Sequence, residues 1–397
     1  MNKSRSKPDL VFALVVFLLC LFGVVMISSA SIVTSQERFG TNYYYATHQL
    51  ISLIVGLIMM IGAYFIDYRF WKKISLTMFL ATLVLLIAVF LPGIGKEFGG
   101  AHRWLGVGSA LFQPSEIVKL TFIIYLASWL EKKGNQIGNF ATGFVPFAFL
   151  MLVLGFLIMS QPDLGTFSVI IGTAVVVFFV AGARWTHLTI GGVSLLILIG
   201  ILIRIEPYRL QRFLVFLNPS AQSLGAAYHI NQALIAIGSG GLWGLGFGQS
   251  KQKYLYLPQA YSDSIFAIIA EELGFIRSSL VIAVFVFLAF RGRRIIQNAP
   301  DTFSRLLATG IVAWIILQMF INIAAMLSLI PLTGVPLPFI SYGGSSLIVT
   351  LMAVGILLNI SKYSNHSSRI YENTFNWRGY GWAYLARHYG RAISPKK

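Results

Sequence analysis

Three carboxylates stand close together in the sequence where a long polar segment meets an apolar stretch. Asp263 lies at that boundary, and Glu271 and Glu272 follow eight and nine residues later. On a continuous helix these two glutamates lie about 12–14 Å deeper than Asp263. A carboxylate at a wet boundary can act as a general base, whereas one inside an apolar stretch must be paired, hydrated or protonated. The pattern favours chemistry for Asp263, with a helix cap as the alternative, and structural pairing with cations for Glu271 and Glu272.

Several cations accompany this boundary aspartate along the polar segment. Arg209 and Arg212 are three residues apart, so a helix places them on one face. A glycine-rich run over residues 238–248 leads to Lys251 and Lys253. Glycine lets a backbone N–H approach a phosphate, but glycine also simply makes loops. The segment therefore predicts an anion-binding surface, and its cations are stronger evidence for that surface than its glycines.

Two further segments carry charges that need an explanation. Glu116 and Lys119 are three residues apart and can pair on one helical face. The alternative is that Lys119 and Arg103 face an anionic group at a membrane interface. Asp163 occupies a tight turn within residues 160–166, where it can cap the next helix or contribute to a site.

The elements that must position these residues are membrane helices. The chain has 397 residues, of which 57% are hydrophobic and 11% charged, against about 25% charged in soluble domains. This composition excludes a soluble enzyme, a disordered chain and, with one cysteine, a disulfide scaffold. Apolar stretches of about 17–25 residues can cross a bilayer. The predicted spans are 10–30, 48–66, 74–92, 114–131, 143–160, 164–182, 187–204, 264–290, 305–328 and 343–361.

The distribution of charge predicts the orientation of the chain. Its formal net charge is +17, and ten spans would bring the most basic segments to one side. Cytoplasmic loops of membrane proteins are enriched in Lys and Arg, so we expect both termini in the cytoplasm and no nucleic-acid partner. The large loop 205–263 and the uncharged Pro/Gly-rich loop 329–342 then lie outside. Residues 1–361 are predicted to form one membrane domain, and residues 362–397 a basic, aromatic tail on the anionic inner leaflet.

Taken together, these residues predict an outer-leaflet cavity that holds several cations and one exposed carboxylate. The sequence contains no HExxH, Walker or GxSxG motif, so neither a zinc site of that type nor ATP use is indicated. Cations could bind a diphosphate, apolar grooves a lipid, and the carboxylate could act as base. The constellation suits a lipid-linked pyrophosphate.

The sequence resembles the SEDS family (shape, elongation, division and sporulation proteins), which includes FtsW, RodA and SpoVE. The resemblance runs from about Leu10 to Lys362. Its most specific pieces are Arg103-Trp104, residues 113–116 (QPSE) with Lys119, 161–165 (QPDLG), 235–241 (IAIGSGG), 271–274 (EELG) and 338–344 (PFISYGG). Residues 208–213 and 248–253 look more like the FtsW/SpoVE branch than like RodA. The resemblance implies an all-α, ten-span peptidoglycan glycosyltransferase, with a septal role favoured.

The resemblance also implies roles for individual residues. Asp263 matches the family's essential outer-loop aspartate, the expected base that deprotonates the acceptor sugar hydroxyl. The implied substrate-binding residues are Arg103, Lys119, Arg209, Arg212, Lys251, Ser341 and Gly343. The implied supporting residues are Glu116, Asp163, Glu271 and Glu272. No protein metal ligands are implied; a divalent cation, Mg²⁺ or Mn²⁺, is compatible with the chemistry, although the sequence shows no closed site for one.

Partners and location follow from the same resemblance. It implies a class B penicillin-binding protein (FtsI-like) and other divisome proteins as partners, with lipid II as substrate and membrane lipids as surroundings. It places the chain in the bacterial inner membrane, enriched at the division septum. Two alternatives stay open: a lipid II flippase or other transporter, and a non-catalytic scaffold that activates the penicillin-binding protein.

The chain departs from the family pattern around its aspartate. The usual run is close to Pro-Glu-Ala-His-Thr-Asp-Phe. Here Gln259, Tyr261, Ser262 and Ser264 replace the Glu, His, Thr and Phe of that run, and Arg277 stands where a small residue is usual. These departures bear on activity and partner choice rather than on fold.

Overall fold

The computed structural model describes residues 7–92, 95–98, 101–107, 110–205, 207–217 and 225–363. The predicted tail therefore lies outside the described residues. Within them the fold is a helical bundle with one small sheet. The helices are α1 Leu10–Ala30, α2 Ile32–Phe39, α3 Tyr44–Phe65, α4 Tyr68–Ala88, α5 Pro114–Lys133, α6 Val145–Met159, α7 Leu164–Val180, α8 Trp185–Ile205, α9 Pro207–Leu217, α10 Ala226–Ser239, α11 Ile265–Gln297, α12 Thr302–Met326 and α13 Gly344–Lys362.

A helix coincides with each of the ten predicted spans. Among the described residues, seven helices are long and apolar enough to cross a membrane. Of the other three, α7 is apolar but has only 17 residues. Helix α5 carries Glu116, Lys119 and Glu131 as well as two terminal lysines. The prediction of an all-α polytopic membrane protein is confirmed, while ten membrane crossings stay a prediction.

Contacts between helix ends gather the basic segments at one end of the bundle. Asp9, before α1, pairs with Arg291 near the end of α11 at 2.7 Å, and its N–H donates to the Ser361 hydroxyl of α13. The Tyr68 hydroxyl of α4 donates to the Asp301 carboxylate that caps α12. These segments were all predicted to be cytoplasmic, so the structure groups them as the charge pattern predicted.

The opposite end contains a sheet that the sequence did not predict. The segment 93–113 was expected to be a loop, but it forms an antiparallel sheet in the order β1 Gly95–Phe98, β2 Ala101–Val107, β3 Ala110–Phe112. The strands have only four, seven and three residues. Such short strands give too few alternations of apolar and polar residues for a sequence pattern to show them.

The core of the bundle lies along α5, α12 and α13. In the most apolar window of α12 and α13, 67% and 72% of the residues are buried inside the protein, against 22–39% for the other candidate spans. The outer helices therefore present their apolar sides to lipid, while α5, α12 and α13 support the polar end of the bundle from within.

Candidate active site

Asp263 lies two residues before α11 and presents a carboxylate with one unpaired oxygen. Its Oδ1 is buried and has no hydrogen-bond partner among the described residues. No side-chain cap hydrogen bond is made at the start of α11, so the alternative of a helix cap is not what the structure shows. Burial raises the pKa of Asp263 to about 6, although its own backbone N–H and the Arg212 charge act in the opposite direction. A carboxylate of this kind can accept a proton near neutral pH.

The main chain of Asp263 is held by a polar row on α12. Asn322 donates from Nδ2 to the carbonyl of Asp263 and to that of Val335, both at 2.7 Å. One turn earlier, Gln318 donates to the carbonyl of Pro336 at 2.9 Å. Helix α12 thus ties the aspartate to the uncharged loop 329–342.

The predicted pair Glu116–Lys119 lies beneath this row. Lys119 Nζ is 2.8 Å from Glu116 Oε2, donates to Gln318 Oε1 at 2.9 Å and lies 5.1 Å from the ring centre of Trp314. Lys119 is only 2% exposed. The structural ion pair is confirmed, and the structure directs this lysine to α12 rather than to an open interface.

Helix α9 brings one of the predicted cations to Asp263. Arg212 donates from Nη1 to the carbonyl of Leu332 at 2.8 Å, and its charge lowers the pKa of Asp263. Arg209 lies on the same helix, but its side chain is outside the described residues. Arg212 therefore links α9 to the 329–342 loop by a hydrogen bond, and its positive charge acts on Asp263.

Arg103 and Asp163 meet around the turn that precedes α7. Arg103 donates from Nε to the carbonyl of Gln161 at 2.8 Å and from Nη2 to the carbonyl of Pro162. Asp163 accepts from the N–H of Thr166 at 3.1 Å, which confirms the predicted helix cap. The structure thus assigns both residues a role in shaping this turn.

Glu271 and Glu272 form a buried polar cluster with the segment that follows the glycine-rich run, and the predicted pairing with a cation is confirmed for Glu272. Glu272 pairs with Lys253 at 3.2 Å and accepts from the Ser29 hydroxyl of α1 at 2.7 Å. Glu271 accepts from the Ser250 hydroxyl and from the backbone N–H of Lys251, the latter at 2.9 Å. The side chain of Lys251 is exposed and stays available to a ligand.

Helix α11 is broken just beyond these glutamates, at Gly274. The residue has φ 79° and ψ 178°, and a Cβ there would lie 2.2 Å from the Gly244 nitrogen. The glycine-rich loop replaces the missing helical hydrogen bonds: Leu245 N–H donates to Glu271 O, and Phe275 N–H donates to Gly241 O. The loop and the helix therefore form one hydrogen-bonded element. The loop is not a separate phosphate-binding loop, and the helix is not straight.

Ser341 and Gly343 are held inside their loop by α3. Gln49, 1% exposed, donates to the carbonyl of Ser341 at 3.2 Å and accepts from the N–H of Gly343 at 3.3 Å. The Ser341 hydroxyl accepts from the N–H of Leu337 at 2.7 Å. In this structure both predicted substrate-binding residues shape the loop.

The departures around Asp263 have specific partners. The Tyr261 ring stacks on Tyr45 at 4.1 Å, and its hydroxyl donates to that of Tyr45. Ser264 contacts the buried His229 of α10, with its Oγ 2.6 Å from the ring Nε2. Arg277 donates to the carbonyl of Trp243 at 3.2 Å, which gives it the partner that an arginine in a span needs.

Sequence reasoning did not single out Gln318, Asn322 and His229. A row of polar residues at positions 318 and 322 inside an apolar helix was a usable signal, because a polar side chain in a membrane needs a partner. His229 gave none, because its partner lies 35 residues away. Within the described residues, no group of three or more His, Cys, Asp or Glu side chains is arranged to hold a metal ion. The described donor set does not form a closed cation site.

The fold and site define a polytopic membrane protein whose polar centre lies at one end of the bundle, around an aspartate whose Oδ1 has no partner among the residues described. The model of the FtsW/RodA/SpoVE cell cycle proteins matches residues 9–366. The chain belongs to this family, which confirms the resemblance read from its motifs.

Relatives and solved structures agree with this assignment. Stage V sporulation protein E of Bacillus subtilis is 42% identical and covers 92% of this chain and 100% of its own length. A probable peptidoglycan glycosyltransferase FtsW of Coxiella burnetii is 41% identical and covers 85% of this chain and 92% of its own. A chain from a solved peptidoglycan synthase complex superposes with a TM-score of 0.74 at 27% identity, covering 89% of this chain and 97% of its own. Thermus thermophilus RodA superposes with a TM-score of 0.67 at 27% identity, covering 90% and 98%.

Proposed function

We propose that this protein is a peptidoglycan glycosyltransferase that polymerises lipid II at the outer face of the inner membrane, with Asp263 as the base. The observation that carries the proposal is a contrast between the main chain and the side chain of Asp263. The main chain is fixed by Asn322, while Oδ1 of the side chain has no partner among the described residues. A carboxylate left unpaired at a buried site is costly, and such groups concentrate where chemistry needs them. Family membership supplies the reaction for which this base is suited.

The reaction is a single displacement in this proposal. Asp263 takes the proton from the 4-hydroxyl of the acceptor sugar, and that oxygen attacks the anomeric carbon of the growing strand. The bond to the diphosphate breaks, and undecaprenyl pyrophosphate leaves with the electron pair. An α-linked donor thereby gives a β-linked product.

Arg212, Arg209 and Lys251 are the proposed ligands of the leaving diphosphate. The charge of Arg212 acts on Asp263, and the side chain of Lys251 is exposed. Arg103 and Lys119 act in a different way in this proposal, because their hydrogen bonds are directed to the 161–162 turn and to α12. They hold the turn before α7 and helix α12 in position.

A class B penicillin-binding protein is the proposed partner, and the division septum the proposed location. The similarity to a chain of a peptidoglycan synthase complex supports a partner of this kind. The names of the FtsW and sporulation relatives support a septal enzyme rather than one of elongation.

The test is polymerisation of labelled lipid II by the purified protein with its class B partner, whose transpeptidase is blocked by penicillin. We expect glycan ladders from the wild type and none from Asp263→Asn. Asp67→Asn is the matched control, because Asp67 caps α4 at the opposite end and asparagine caps equally well. No ladder from the wild type, with the partner shown to bind, would point to the scaffold. Equal ladders from wild type and Asp263→Asn would remove Asp263 as the base.

A further inference from the structure

A buried histidine contacts the residue that follows Asp263. His229 of α10 and Ser264 are 8% and 0% exposed, and the ring Nε2 lies 2.6 Å from the Ser264 Oγ. The same hydroxyl donates to the carbonyl of Pro258 at 3.0 Å. Because a serine hydroxyl has one proton, this arrangement makes His229 the donor, with its proton on Nε2.

From this contact we infer that His229 is a positioning residue for the catalytic base: it fixes Asp263 through a hydrogen bond to Ser264. The inference rests on the proposed function of Asp263. It concerns a residue that has no contact with the reacting atoms and acts only through Ser264.

The turn that carries Asp263 shows why this hydrogen bond matters. The backbone N–H groups of Ser262 and Ser264 both donate to the carbonyl of Gln259, which has a left-handed φ of 53°. A non-glycine residue in that region is strained and persists only when its surroundings hold it. The contacts of Ser264 with His229 and Pro258 close the turn from the inside.

Two helices thereby hold consecutive residues of the same turn. Helix α12 holds the carbonyl of Asp263 through Asn322, and α10 holds the side chain of Ser264 through His229. The carboxylate itself is not held by either contact, so it stays free for a substrate hydroxyl. Errors of about 1 Å in the position of a catalytic group can cost about 100-fold in rate.

The histidine is suited to a constant structural role. Burial and the nearby Arg212 lower the pKa of His229 to about 4, so the ring is neutral over the working pH range. A neutral ring donates the same hydrogen bond throughout that range. Ser264 is also a departure from the family pattern, in which phenylalanine usually follows the aspartate. Phenylalanine has no hydroxyl that could accept this hydrogen bond.

The test compares four variants in the lipid II assay: His229→Leu, His229→Gln, Ser264→Ala and the double variant His229→Leu/Ser264→Ala. His229→Leu is expected to lower kcat 10- to 100-fold with KM changed less than about 2-fold, since positioning affects the reacting geometry. His229→Gln keeps an N–H donor and is expected to retain at least a third of the wild-type kcat. Ser264→Ala is expected to resemble His229→Leu, and the double variant to be no worse than either.

His187→Leu is the matched control, since His187 is also buried, 4% exposed, but packs on Phe140 and Phe144 of another region. It should keep the wild-type kcat. Rates are compared per mole of monodisperse protein bound to its partner, which separates misfolding from loss of positioning.

Several results would overturn the inference. One is an unchanged kcat in His229→Leu or in Ser264→Ala. A second is a double variant whose loss equals the product of the two single losses. A third is an equal loss of kcat in His229→Gln and His229→Leu. Failure of the proposed function looks different, because the wild type would then give no ladder or Asp263→Asn would give a full one. If His229→Leu does not fold, Ser264→Ala alone decides.

Discussion

At the scale of single residues, Asp263 differs from Glu116, Asp163 and Glu272 because its buried Oδ1 has neither a hydrogen-bond donor nor a cation as partner among the described residues. Glu116, Asp163 and Glu272 each contact a cation or a hydrogen-bond donor. Such contacts stabilise the charged form and fix the side chain, whereas Oδ1 of Asp263 is buried without one, and its own backbone N–H and the Arg212 charge offset only part of that burial. This difference, more than sequence position, is why we assign the chemistry to Asp263.

The raised pKa of Asp263 predicts the pH dependence of polymerisation. The base must be deprotonated, and its pKa is about 6, so kcat/KM should fall tenfold per pH unit below pH 6 and reach a plateau above it. The measurement is initial rates of lipid II polymerisation from pH 4.5 to 8, with Asp67→Asn as control. An acid limb near pH 4, the ordinary range of an aspartate, would show that the carboxylate is hydrated rather than buried.

At the scale of elements, the glycine-rich loop and the broken helix α11 depend on one buried ion pair. Lys253 and Glu272 are 4% and 0% exposed, and they join this element to Ser29 of α1. Removing one partner of such a pair leaves an uncompensated charge, which typically costs about 3–5 kcal/mol. The loop that carries Lys251 therefore depends on a contact deep within the protein.

We accordingly predict that Glu272→Gln lowers the midpoint of thermal unfolding in detergent, and that adding Lys253→Met restores part of the loss. The control is Glu131→Gln, because Glu131 pairs with Lys72 at a partly exposed site where such pairs are worth about 1 kcal/mol or less. Equal midpoints for Glu272→Gln and Glu131→Gln would contradict the structural role of the buried pair.

At the scale of the whole molecule, the two ends of the bundle differ in the segments that they bring together. One end gathers the basic segments and their pairs, including Asp9–Arg291. The other gathers the small sheet, the broken-helix loop and the turn of Asp263. The positive-inside rule assigns the first end to the cytoplasm, so the site should face outward, as the proposed function requires.

Single-cysteine labelling tests this orientation. Cys20 is the sole cysteine of the chain and is buried, so background labelling by an impermeant maleimide should be low. In intact cells whose outer barrier is opened, Gln259→Cys should react and Asn135→Cys should not; both positions are exposed in the structure. Reaction of Asn135→Cys in sealed cells, with Gln259→Cys protected, would invert the topology. Lysed cells should label both.

Features that depend on neighbouring residues could be predicted from the amino-acid sequence. Apolar length predicted the helices, since a stretch of about 20 apolar residues is a local property. The Glu116–Lys119 pair and the Asp163 cap were also predicted, because their partners lie three residues away. The family followed from several short motifs in a fixed order.

Which polar groups meet depends on tertiary packing and could not be predicted from the sequence. The hydrogen bonds from Arg103 to Gln161, from Asn322 to Asp263 and from His229 to Ser264 span 58, 59 and 35 residues. In a membrane interior each buried polar group must find a partner, but apolar periodicity does not say which, since the helices are apolar on every side. The choice is made by how the helices pack, and that packing holds the backbone of Asp263 while its Oδ1 has no partner in the described part of the chain.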